Sequence, residues 1–450
     1  MRGPRSFLLE SVSGPARIAR YSIVGLEPHT IFSAKGSRVK VVDADGGRLM
    51  EGEPFEMLRE TCARFSTQSH ARFRGGAVGY FSYDAGRFIE DLPERAVDDL
   101  ELPDAFFLFC KLFIVFDHAA QTAEVVAMVD DNGNPNSAYR EARERIAALV
   151  ERLNGPAPAF RPTGEGREPA WESNFTKSGF YRAVERAKEY IAAGDIYQVN
   201  LSQRLTAAVG ADPLEIYSVL RELNPSPFAG FFDFGDWQLV SCSPERLVKL
   251  ENRSAQTRPI AGTIRRGRSD AEDGELRVRL TSDIKERAEH IMLVDLERND
   301  LGRVCEYGSV RADQLLVTES YSHVTHIVSN VLGRLRDHYD GFDLLRACFP
   351  GGTITGCPKV RSMEVIEELE PVRRGPYTGS MGYLGFNGDL DFNIIIRTLI
   401  MKDGLAHVQA GAGIVADSRP EREYRETLHK AEALIRAASL AEEKRGCLPT

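Results

Sequence analysis

Residues 382–435 read GYLGFNGDLDFNIIIRTLIMKDGLAHVQAGAGIVADSRPEREYRETLHKAEALI, and this stretch decides the fold class. Runs of β-branched and aromatic residues, punctuated by Gly, Asp and Asn, predict strands at Gly382–Phe386, Asp391–Ile400 and Ala406–Ala410. A helix pattern over Pro420–Glu443 follows, with Tyr424, Leu428, Ala431 and Ile435 forming an apolar stripe. Strands that come in a run and are then closed by a helix do not fit strict βαβ alternation. The class is therefore α+β, a large layered β-sheet body flanked by helices, with mixed or antiparallel pairing.

The same pattern extends toward the N-terminus. Strands are expected at Phe7–Glu10, Arg38–Val42, Ala77–Tyr83, Phe106–Phe116, Ala123–Val129, Ile196–Leu205, Gln238–Ser241 and Val317–Glu319. Helices are expected at Ser137–Leu153, Ile284–Asp295 and Lys359–Leu369. One more helix is well signalled: Thr176 as N-cap, Phe180, Val184, Ala187 and Ile191 on one face, and Gly194 in the position after the C-cap. Between these runs lies NGPAPAFRPTGEGRE, residues 154–168, rich in Pro and Gly. It divides the chain into an N-terminal region, 1–153, a linker, 154–174, and a second region, 175–440. The chain opens almost directly on a strand pattern, which leaves room for a longer natural start.

Composition narrows the function. At 450 residues, with 42% hydrophobic and 27% charged residues, the chain can bury a large core. A net charge of −9 with Lys and Arg scattered among the acids argues against a nucleic-acid partner. No stretch reaches the roughly 18 apolar residues of a membrane span, and no signal-peptide core is seen. The seven cysteines follow no metal spacing, which suits free thiols in the cytoplasm.

Two ExxE spacings could carry chemistry: Glu286 with Glu289, and Glu423 with Glu426. Residues three apart share a helix face, so two such pairs could hold a hard cation such as magnesium; solvated helix faces carry the same spacing. Gly411–Ala412–Gly413, between a strand and the acidic helix, could bring backbone amides near an anion, or could be only a tight strand exit. Arg397, alone in an apolar strand run, calls for an anion, either a ligand carboxylate or an internal partner. The loop Pro350–Gly356 leads toward a helix but lacks P-loop spacing, so nucleotide binding is not indicated. Glu245 and His326 are lone titratable groups near apolar strands, where structural roles are the default.

Taken in order, GDIYQVNLSQR, NPSPF, SPERL, RPIAGT, KERAEHIMLVDLERNDLGRV, FPGGTITGCPKVRSMEVIEELEP, GPYTGS, IRTL and AGAGIVADSRPEREYRET resemble the chorismate-binding enzymes over about residues 175–437. FLLES, RYSIVGL and GGAVGYFSYDAGR resemble the additional region of two of its branches, the component I chains of anthranilate and aminodeoxychorismate synthases. The resemblance implies a magnesium ion held by Glu289 and Glu426, with Glu286 and Glu423 completing the acidic shell. It implies that Gly262, Thr263, Tyr377, Arg397, Gly411, Ala412, Gly413 and Lys430 hold the carboxylates of chorismate. Glu245 matches the acid that protonates the departing 4-hydroxyl, and His326 and Thr353 match residues lining the ring.

Gln198 stands where water-adding branches of the family carry a lysine base, so the resemblance implies ammonia as nucleophile. No glutaminase nucleophile is present, so a separate glutamine amidotransferase subunit is the expected partner. Within the ammonia-using branches, GDIYQVNLSQ, GYFSYDAGR, FPGGTITG and DFNIIIRTL resemble the aminodeoxychorismate, or folate, branch. Ala261 in RPIAGT is the usual form of the anthranilate branch, which is the alternative. A non-catalytic binding subunit is a third reading, and the filled motif positions speak against it. Glu10, Ser11, Asn224, Pro225, Pro227 and Phe228 match the tryptophan pocket of the family's N-terminal region.

Overall fold

A computed structural model describes residues 5–14, 19–65, 73, 75–129, 134–156, 168–321 and 324–446. Most of the expected linker, at 157–167, and Cys447 lie outside the described residues. The helices are α1 (Pro54–Ala63), α2 (Pro135–Asn154), α3 (Lys177–Ala192), α4 (Pro213–Leu223), α5 (Asp270–Ser282), α6 (Ile284–Gly302), α7 (Gly341–Cys348), α8 (Lys359–Leu369) and α9 (Pro420–Gly446).

The strands build two antiparallel sheets that share the long strand Tyr21–Lys35. In one, that strand pairs with Ala105–Asp117, and the ladder continues through Gly76–Phe81, Ser380–Gly385, Leu390–Ile394 and Arg246–Glu251. In the other, Ser6–Glu10 leads to Phe228–Asp233, Trp237–Ser243, Thr398–Lys402, Leu405–Ile414 and Gln198–Ala208. Strands from both sides of residues 154–174 thus share both sheets, in one body.

The run AFFLFC at 105–110 shows why the sheets stack. Successive side chains alternate in direction, so a strand buried on both faces must be apolar at nearly every position. Ala105, Phe107 and Phe109 face the core under α1, α3, α7 and α8. Phe106, Leu108 and Cys110 face a second core, with Phe7, Phe232, Phe234, Trp237 and Ile400 of the other sheet. A third core, with Ile216, Leu220, Leu434 and Ala438, seats α4 and α9 on the far side. The order is helices, sheet, sheet, helices, and this is the layered body expected.

Local signals act as read. Thr176 Oγ1 accepts from Gly179 N at 3.0 Å, Phe180, Val184 and Ala187 are buried, and Gly194 takes φ +82°. Other elements differ from expectation. The strand expected over Asp391–Ile400 is two strands, because Arg397 between them takes φ +53° and turns the chain. The Ala406–Ala410 strand runs on to Ile414, so Gly411–Gly413 lie in a ladder with Asn200–Ser202 and form no turn. α6 continues about two turns past Asp295, to Gly302.

Candidate active site

A cavity of about 500 Å³ opens between the two sheets' ends and the first turns of α6 and α9. Of the sequence-derived catalytic, substrate and metal residues, every one but Ala412 lines it. Ala412 is fully buried on the opposite face of its strand, because the two-residue period sends its Cβ into the core.

Gly411 and Gly413 occupy the cavity face of that strand. A Cβ on Gly411 would sit 2.2 Å from Asn200 Oδ1 and 3.0 Å from Tyr377 Oη, and one on Gly413 would sit 2.6 Å from Gln198 Nε2. Side chains at these positions would take the volume that Asn200, Tyr377 and Gln198 use. Lys430 Nζ donates to Gly411 O at 2.9 Å, so this carbonyl, and with it the Gly411 amide, points to the strand edge that leaves β pairing beyond Val408.

The acidic residues arrive on two helices. Asp283 caps α6 by accepting from Lys285 N and Glu286 N, and presents Glu286 and Glu289 one turn in. α9 places Glu423 and Glu426 in its own first two turns. Burial raises Glu286, and the charges of Asp283 and Glu426 add to the rise while Lys285 and Arg422 oppose it. Burial and then Glu286 raise Glu289, and burial and Glu426 raise Glu423. Carboxylates that raise one another in this way share a small space. Glu426 meanwhile reaches Lys430 Nζ at 2.7 Å, and Glu289 accepts from Gln198 Nε2 at 3.3 Å. Among the described residues no three acidic, His or Cys side chains converge on one point as ligands. The donor set, all oxygen and mutually repelling, has the chemistry of a hard-cation site. A cation would relieve the repulsion that the helices impose.

Facing these acids are Arg397, Lys430 and Tyr377. Arg397 donates to the Lys430 carbonyl, and no carboxylate pairs with it among the described residues. Its positive φ aims it into the cavity from the break between strands. Gln198 Oε1, Asn200 Oδ1 and Gln409 Oε1 are buried there without hydrogen-bond partners, as a cavity built for a polar ligand requires.

Glu245 follows Ser243–Pro244 in the tight link between two strands, and is 6% exposed. Burial pushes its carboxyl up to about 7, against the pull of Thr353, the Ile260 amide and Lys430. Near pH 7 it is therefore partly protonated, where an ordinary carboxyl would be fully ionised. His326 lies opposite Thr263, with Nδ1 at 2.9 Å from its hydroxyl, and burial pushes it down to about 4, so the imidazole is neutral. Gly262, at φ +69°, leaves room for Glu286: a Cβ there would lie 3.0 Å from its Oε2.

Asn200 was missed in the sequence reading, although its place two residues after Gln198 puts both on one strand face. Arg374, 1% exposed, was missed as well. It donates to Glu370 Oε2 at 2.9 Å, Ile354 O at 2.9 Å and Asn200 O at 2.7 Å, and so ties the wall around Tyr377 together.

The expected tryptophan pocket is a separate cavity of about 140 Å³, lined by Glu10, Ser11, Pro227 and Phe228. Asn224 and Pro225 do not line it. Asn224 ends α4, and Pro225 O accepts from Ser13 Oγ at 2.9 Å. The Glu10 carboxylate takes the Tyr217 hydroxyl at 2.7 Å and the Arg221 guanidinium.

Layered sheets ending in an acidic and cationic cavity define a class of enzyme, and comparison with known proteins identifies it. The chorismate binding enzyme family matches residues 6–436. Anthranilate synthase component 1 of Acetivibrio thermocellus is 45% identical over 449 residues, covering 98% of this chain and 91% of the relative. Aminodeoxychorismate synthase component 1 of Bacillus subtilis is 44% identical over 440 residues, covering 97% and 92%. The crystal structure of anthranilate synthase component I from Streptococcus pneumoniae superimposes with a TM-score of 0.84 at 36% identity, covering 94% and 93%. The chain belongs to the chorismate-binding enzymes. No helix among the described residues is long and apolar enough to cross a membrane.

Proposed function

We propose that this chain is component I of an aminodeoxychorismate synthase: it exchanges the 4-hydroxyl of chorismate for an amino group, with ammonia supplied by a glutamine amidotransferase subunit. The observation that carries the reading is the cavity that joins a buried Glu245, its carboxyl pushed up to about 7, to Arg397, Lys430 and the paired glutamates, with the Gln198 amide in the same wall.

Each residue has work suited to its chemistry. Arg397, Lys430, Tyr377 and the edge amide of Gly411 meet the carboxylates of the dianion. Glu286, Glu289, Glu423 and Glu426 would hold magnesium, which when bound supplies positive charge to a substrate carboxylate. Glu245 gives its proton to the departing hydroxyl, a contribution of about 10²–10⁴ in rate. Neutral His326 and Thr353 line the ring. Gln198, an amide, cannot draw a proton from water, which favours ammonia as the nucleophile. The cytoplasm, where chorismate and glutamine meet, is the expected location.

A second reading, anthranilate synthase component I, is favoured by Ala261. It lines the cavity with a methyl group and offers no nucleophile of its own. Incubation with chorismate, ammonium and magnesium separates the two. Our reading expects a product that a separate lyase converts to 4-aminobenzoate. Fluorescent anthranilate as the main product would replace it with the second.

A further inference from the structure

Two amides in the cavity wall have no task in the account above. Gln409 is 4% exposed and Asn200 is half-buried; both line the cavity, and neither Gln409 Oε1 nor Asn200 Oδ1 meets a hydrogen-bond partner among the described residues. In the antiparallel ladder Gly411 stands opposite Ser202, with Gln409 two residues before Gly411 and Asn200 two residues before Ser202. The two-residue period puts all four on one face of the sheet. From one side Gln409 Nε2 reaches Ser202 Oγ at 2.8 Å, and from the other Asn200 Oδ1 lies 2.2 Å from where a Gly411 Cβ would be. Both amides therefore lean on the Ser202–Gly411 pair, where the glycine leaves space for a small group. Tyr377 Oη is 3.0 Å from the same point.

The Gln409 amide is fixed in its orientation. Arg374 Nη2 lies 2.6 Å from Glu370 Oε1, and Ser202 N and Oγ donate to that same oxygen at 2.8 and 2.9 Å. With its proton spent there, the Ser202 hydroxyl can only accept, so Gln409 faces it with the NH2 and turns its oxygen away. A buried oxygen held without a partner needs a donor. Chorismate has few to offer: its two carboxylates only accept, and its single hydroxyl is the group given to Glu245. Ammonia, the other substrate, brings three N–H donors.

We propose that Gln409 Oε1 and Asn200 Oδ1 form an ammonia subsite, which holds the incoming nucleophile by two of its N–H groups beside Tyr377. This rests on the amination reading above. The lone pair stays free, and no bond is made or broken at the amides. Their neutrality suits the task, because a carboxylate in either place would favour ammonium, which has no lone pair to give.

The ammonium dependence of turnover, measured at saturating chorismate and magnesium, tests the subsite. Gln409→Met keeps the bulk and loses the acceptor; it should raise the KM for ammonium about tenfold, the effect of one lost hydrogen bond, and leave that for chorismate within twofold. Asn200→Leu should behave alike, and serves if the first variant does not fold. An unchanged ammonium KM in the folded variants, or a chorismate KM that rises as much as that for ammonium, overturns the subsite. A parent chain that turns over no chorismate with ammonium overturns the functional reading instead, before any variant is compared.

Discussion

Arg374→Met tests how the cavity wall is held. The guanidinium is 1% exposed and its partner Glu370 3%, and together they tie three elements: Asn200 in its strand, the turn at Ile354, and the segment before Tyr377. Glu370 also accepts from Ser202 N at 2.8 Å and Ser202 Oγ at 2.9 Å. Removing the cation leaves a buried carboxylate with only those two donors, and breaking one side of a buried pair costs about 3–5 kcal/mol. Removing both charges avoids the orphan, so Glu370→Met with Arg374→Met should recover most of that loss. Urea unfolding of the parent, both singles and the double would measure it. The chorismate KM should rise in the Arg374 single and in the double, because neither holds the Asn200 and Ile354 carbonyls. A single variant that costs less than about 1 kcal/mol, or a double no more stable than Arg374→Met, would refute the view that Arg374 is needed as a paired cation.

Further outcomes are expected at Glu245, at Gly411 and at the acidic cluster. Glu245→Gln should lower kcat by about 10²–10⁴ with little change in chorismate KM. In the parent, kcat should fall as pH rises through about 7, since the acid form is the working one. Thermal melts should show stability falling over the same approach: the folded chain keeps this proton to about 7 while the unfolded chain releases it near 4.5, so the folded state binds more protons in that window and loses stability as pH rises through it. The fall should be absent in Glu245→Gln. Gly411→Ala places a Cβ 3.0 Å from the Leu201 carbonyl and 2.2 Å from Asn200 Oδ1, and should cost about 1–3 kcal/mol while raising the chorismate KM. EDTA should abolish turnover and magnesium restore it; turnover that survives chelation would sink the role given to the four glutamates.

The legible parts of this protein were those whose signals are local. Helix arithmetic puts Glu286 and Glu289, or Glu423 and Glu426, on one face without knowledge of the rest, and Thr176 and Gly194 mark helix ends through their own side chain and backbone. The run AFFLFC at 105–110 read as strand for the same reason, although which of its residues belongs to which core depends on a second sheet supplied by distant segments. Arg397 was found as a cation out of place, but not the turn it makes: NIII and TLI are equally good strand on either side, and a left-handed residue between them leaves no mark in such apolar company. Extended to Gly411–Gly413, the same logic explains the other error. Glycines suggest a turn when the strand partner is unknown, and here they are small because Gln198, Asn200 and Tyr377 fill the space beside them.

Least legible were the buried charges. Glu370 and Arg374 stand four apart across Pro371, just past the expected helix, and Glu297 lies among Asp295, Arg298 and Asp300; in sequence both look like ordinary solvated charges. Only packing tells a surface pair from a buried one, because the same two side chains contribute little in water and become structural when water is removed. What distinguishes Glu297 is a count of cations. Lys359 pairs with Asp300 at 2.7 Å, and among the described residues no other cation pairs with Glu297, whose carboxyl burial and the Asp300 charge push up.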